Sequence, residues 1–114
     1  MKLAVVLGLI AALAGCGSSG GSCPSDLPGS CPAPAPSYQS TIAPLISAHC
    51  LTCHSPGGQE ASFPFVTYQQ VFAERSAMLD QVYACHMPPA SEPQLSAQER
   101  QQLLGWLVCG APNN

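Results

Sequence analysis

The chain has 114 residues, of which 3 are Lys or Arg and 6 are Asp or Glu, giving a formal net charge of −3 at pH 7. So small and slightly acidic a charge offers no basic face for nucleic acid, and the length suits one small domain. Seven cysteines in so short a chain ask for bridges, a metal or a covalently held group.

Met1 to Leu13 places one cation, Lys2, before the apolar run Leu3–Leu13. The run is too short to cross a bilayer and reads as an export signal. Its end, Leu13-Ala14-Gly15-Cys16, resembles the lipobox of bacterial lipoproteins. The resemblance implies a signal peptide over 1–15 and an acylated Cys16 as the mature first residue. Several acyl chains on one residue make a stable membrane anchor. Gly17, standing where an aspartate would retain the protein at the inner membrane, implies an outer-membrane location facing the periplasm or the surface. The alternative is a secreted protein whose signal ends in a chance Gly-Cys.

Residues 16–37 are rich in Gly, Ser and Pro without apolar periodicity and are expected to form a flexible tether, stiffer over Pro32-Ala33-Pro34-Ala35-Pro36. Cys23 and Cys31 lie within it. The domain proper is expected over 38–114. Ile42, Leu45 and Ile46 stand at helical spacing, with Ser40 or Thr41 as cap and Pro44 tolerated in the first turn, so a short helix runs into Cys50. Ser55 to Pro64, with Pro56-Gly57-Gly58, is a loop in which the glycines let backbone pass closely. Thr67-Tyr68-Gln69-Gln70 has the form of a capping box and opens a helix toward Ala84, broken near Ser76, with Met78 as core filler. A second capping box, Ser96-Ala97-Gln98-Glu99, opens the last helix, whose stripe is Leu103, Leu104, Leu107 and Val108 with Trp106 at its margin. Gly110 and Pro112 end it, and the turn Ile42–Ile46 is its expected packing partner. No run is long enough for a central strand. The fold expected is all-α, with about three to four helices.

The chemistry converges on Cys50-Leu51-Thr52-Cys53-His54. Two thiols separated by two residues and followed by histidine suit covalent haem attachment, with thioethers from Cys50 and Cys53 and His54 beneath the iron. A thioredoxin-like dithiol centre needs a βαβ setting that the chain lacks. A zinc site from Cys50, Cys53, Cys85 and either Cys109 or His86 is the nearer rival, but the second matched pair is missing. Downstream, Met87-Pro88-Pro89 presents a thioether on a segment whose prolines keep it extended.

Together these motifs resemble the small class I-type, His/Met cytochrome c domain over roughly Tyr38 to Pro112. The resemblance implies one covalent haem c with His54 and Met87 as axial ligands, terminal helices that cross, and single-electron transfer between redox proteins without substrate turnover. His86 neighbours Met87 and competes as sixth ligand; alternation on an extended segment lets only one of the two face the iron. Apart from Cys16, Cys50 and Cys53, four cysteines remain and can pair in three ways. Cys85 with Cys109 and Cys23 with Cys31 is the pairing that keeps tether and domain separate, in the oxidising compartment that export implies. Two alternatives stand beside the carrier: a c-type haem enzyme or sensor with an open iron position, and a non-redox lipoprotein with a structural metal.

Overall fold

A computed structural model describes residues 22–114. The expected signal peptide, the lipidated Cys16 and the first residues of the tether lie outside that range. The described residues are helical, with no strand among them. A π-helical turn, Tyr38–Ile42, leads directly into α1, Ala43–His49; α2 spans Tyr68–Ala73, α3 Arg75–Tyr83 and α4 Ala97–Val108.

Local chemistry sets these boundaries. Both capping boxes form: Thr67 and Gln70 close the start of α2, and Ser96 and Glu99 that of α4, so each side chain satisfies a backbone N–H that the first turn would leave unpaired. Pro44 sits where its missing N–H costs nothing. The break between α2 and α3 falls at Glu74 rather than Ser76. Gly110, at φ 85°, takes the left-handed conformation that ends α4. Asn114 returns to the opening turn, its Oδ1 accepting from the Tyr38 N–H at 2.8 Å and its backbone carbonyl from Ser37 Oγ at 3.0 Å.

The core is one cluster in which Ile42, Leu45 and Ile46 meet Val71, Met78, Val82, Leu103, Leu104 and Leu107. The crossing of α4 over the opening turn is therefore as expected. Trp106 is not marginal: it is fully buried, stacks on Tyr38 with ring centroids 5.6 Å apart, and donates Nε1–H to the Pro112 carbonyl at 2.9 Å. A Trp indole is buried without cost only when its N–H finds an acceptor, and the turn after α4 supplies one.

The largest departure from expectation is the segment 22–37, which lies along α4 as a strap. Gln101 Nε2 donates to the Asp26 carbonyl at 2.7 Å, and Arg100 pairs with the Asp26 carboxylate. Farther along, a Cβ placed on Gly105 would stand 3.1 Å from Pro32 Cγ, so the bare helix backbone at Gly105 is the seat of the proline-rich stretch. Two disulfides fasten the strap, Cys23–Cys85 and Cys31–Cys109. The expected pairings, Cys85–Cys109 and Cys23–Cys31, are thereby corrected: Cys85 and Cys109 end different helices, and each faces the strap passing over it. The bridges mark a protein of an oxidising, exported compartment. No helix among the described residues is long and apolar enough to cross a membrane.

Candidate functional site

α1 ends by turning into the pentapeptide. Cys50 N–H donates to the Ile46 carbonyl at 2.8 Å, and His54 N–H to the Cys50 carbonyl at 2.9 Å, so Cys50 to His54 forms one further helical turn. That spacing brings Cys50, Cys53 and His54 to one side. All three line a cavity of about 560 Å³, a size typical of small-molecule sites. Its other walls come from Phe63 and Phe65 in the loop, Met78 and Val82 on α3, Met87, Pro88 and Pro89 after it, and Leu95 and Leu103 near and on α4.

The imidazole is held from two directions. His54 Nδ1 lies 2.8 Å from the Phe63 carbonyl, and because a carbonyl only accepts, Nδ1 is the donor and the ring is oriented with Nε2 away from that bond. Phe65 stacks on the ring at 4.2 Å between centroids, and its N–H donates to the His54 carbonyl at 2.8 Å. The loop that brings these partners back depends on Gly58, where a Cβ would fall 2.2 Å from the Cys53 carbonyl oxygen. Only glycine fits that approach.

Cys50 and Cys53 are free thiols, whereas the other four cysteines among the described residues are bridged. Burial, with a smaller contribution from neighbouring Cys53, pushes the Cys50 thiol up to about 11. It is therefore a protonated, apolar neighbour at neutral pH and a poor nucleophile. Opposite, the Met87 thioether reaches the cavity wall, while adjacent His86 is exposed and does not. Gln94 fixes the proline segment, Nε2 donating to the Pro89 carbonyl at 2.7 Å and to the Pro88 carbonyl at 3.3 Å. Spacing gives no sign of Gln94, because its role depends on where a loop folds back.

No protein-family model matches the chain, and neither the curated proteins nor the solved structures searched contain a match to it. The expected resemblance to the small cytochrome c domain is corrected accordingly. Two long-range bridges bind the strap across the domain, an arrangement unlike the one expected, and no family evidence speaks for a cytochrome. The expectation of one haem c is corrected with it. No group of three or more His, Cys, Asp or Glu able to hold a metal ion occurs among the described residues. The roles given to Cys50 and Cys53 as haem thioethers, and to His54 and Met87 as iron ligands, fall with that cofactor. The zinc alternative also fails, since Cys85 and Cys109 are spent in bridges. What stands is the placement: two free thiols, an oriented imidazole and a thioether around one largely apolar cavity.

Proposed function

We propose that this is an electron-transfer protein of the bacterial cell envelope, anchored by acylated Cys16, that passes single electrons between redox proteins. The redox-active group would lodge in the cavity between the Cys50–His54 turn and Met87. The observation carrying the reading is the pair of free thiols Cys50 and Cys53 on that wall, in a domain whose other described cysteines are bridged. An exported dithiol left unbridged beside an oriented imidazole is set aside for a purpose other than fastening the fold. The raised Cys50 thiol weighs against rapid thiol–disulfide exchange with a partner as that purpose. A largely apolar cavity of this size instead suits a compact group shielded from water.

The test is to purify the full chain from the envelope of a bacterial host and to compare its native mass, its denatured mass and the mass of the Cys50–His54 peptide with those given by the sequence. Excess native mass over the mass of the sequence, together with a reversible redox response, supports the reading. A protein of sequence mass with two alkylatable thiols and no redox response sinks it.

A further inference from the structure

We propose that the strap is a positioning clamp for Met87: the Cys23–Cys85 bridge and the Asp26–Arg100 pair set the cavity wall on which the thioether stands. The proposal rests on the reading of the cavity as the functional site.

Met87 follows the end of α3 by only a few residues, so its position is decided by whatever holds that end. Four restraints do so. His86 and Met87 both donate their N–H groups to the Gln81 carbonyl, at 2.9 and 3.1 Å, and Gln94 holds the prolines beyond. The remaining two depend on the strap. Cys85, two residues before Met87, is bridged to Cys23. Arg100 donates Nη1 to the Val82 carbonyl at 2.5 Å and Nη2 to the Tyr83 carbonyl at 3.1 Å, while its Nε and Nη2 grip the Asp26 carboxylate.

Arg100 alone would not suffice. Its guanidinium is a planar fork that needs a fixed counter-charge to keep its orientation, and Asp26 provides that from the strap. Cys85 itself sits at φ 60°, in the left-handed region that residues bearing a Cβ seldom occupy. Such a turn persists where its surroundings hold it, and the bridge is the covalent part of those surroundings. The strap thus acts on Met87 through the last turn of α3, without lining the cavity.

The experiment uses the full exported chain with methyl-labelled methionine. Met78 and Met87 are the two methionines after Met1, so the NMR spectrum has one probe on the clamped turn and one buried on α3, on a part of the cavity wall the strap does not hold. Three variants are compared with wild type: the double replacement Cys23→Ser with Cys85→Ser, Asp26→Asn with both bridges kept, and Cys31→Ser with Cys109→Ser as control. The clamp predicts that the first two shift or broaden the Met87 methyl signal and lower amide-exchange protection over 85–87 at least tenfold, leaving Met78 in place. The control lowers thermal stability without moving Met87. If the first double variant does not fold, Asp26→Asn decides. An unmoved Met87 signal, or Met78 and Met87 moving equally, overturns the clamp. The readout needs neither an occupant nor electron transfer, so failure of the proposed function leaves it measurable.

Discussion

Arg100 and Asp26, 74 residues apart, form a two-pronged pair, with Arg100 Nε 2.8 Å from one carboxylate oxygen and Nη2 3.0 Å from the other. Arg100 is 9% exposed and is the one buried charged residue among the described residues, so its charge depends on this partner and on the Val82 and Tyr83 carbonyls. Replacing it with leucine removes the Arg100 donors from both carbonyls, leaving the Val82 carbonyl to the Cys85 N–H, and strips Asp26 of its counter-charge. Arg100→Leu is expected to lower stability by about 3 kcal/mol in chemical denaturation.

The same pair predicts an acid limb. The hydrogen bond from Arg100 holds the Asp26 carboxyl below its ordinary range, chiefly against desolvation. A carboxyl lowered in the folded state contributes stability that is complete above its unfolded value and is lost as pH falls through the folded one. Stability should therefore decline as pH drops below about 4, and Arg100→Leu should flatten that decline. The flattening will be partial, because Glu99, lowered by the Ser96 backbone and by His49, contributes with the same sign.

Gly58→Ala should damage the site from the loop side. The added carbon would meet the Cys53 carbonyl, which also accepts from the Glu60 N–H at 2.9 Å. Backbone, not a yielding side chain, stands in its way. A cost of about 2 kcal/mol or more is expected, with faster alkylation of Cys53 as the loop withdraws.

Cys50 should be slow to alkylate in chain refolded with its bridges formed and no adduct on the thiols. A thiol moved from 9.0 to about 11 presents about a hundredfold less thiolate at pH 8. Peptide mapping after iodoacetamide treatment should show Cys50 labelled at that reduced rate in the native state, rising to the ordinary rate in denaturant. Equal native and denatured rates would refute the burial that sets the shift.

For the anchor, Cys16→Ser should move the protein from the membrane fraction to the soluble fraction without altering the domain's melting temperature. A variant that still pellets with membranes contradicts the lipoprotein reading.

Much of the fold was legible because its signals are local. The two capping boxes, the Ile42, Leu45, Ile46 turn and the Leu103, Leu104, Leu107 stripe need only neighbours at helical spacing to be read, and each lies where expected. Met87 lines the cavity and His86 is exposed, but the segment is a turn in which the His86 and Met87 N–H groups both meet the Gln81 carbonyl, so alternation along an extended stretch is not what separates them. The strap was not legible. Its proline-rich composition is that of a solvated tether, and its docking depends on the bare backbone of Gly105, on Asp26 reaching Arg100 and on the turn that presents Cys85. The bridge partners were missed for the same reason: proximity in sequence favours local pairs, whereas Cys23 and Cys85, 62 residues apart, are brought together by the strap lying along α4. Trp106 was misplaced because its acceptor, the Pro112 carbonyl, is created by the turn that ends the helix.

The most direct test of the account is a spectroelectrochemical titration of the envelope-purified protein, run beside Met87→Ala and His54→Ala. The account predicts a reversible one-electron step whose midpoint shifts when either side chain, both of which line the cavity, is truncated. No redox transition, or a two-electron transition that vanishes on alkylation of Cys50 and Cys53 and ignores Met87→Ala, would contradict it.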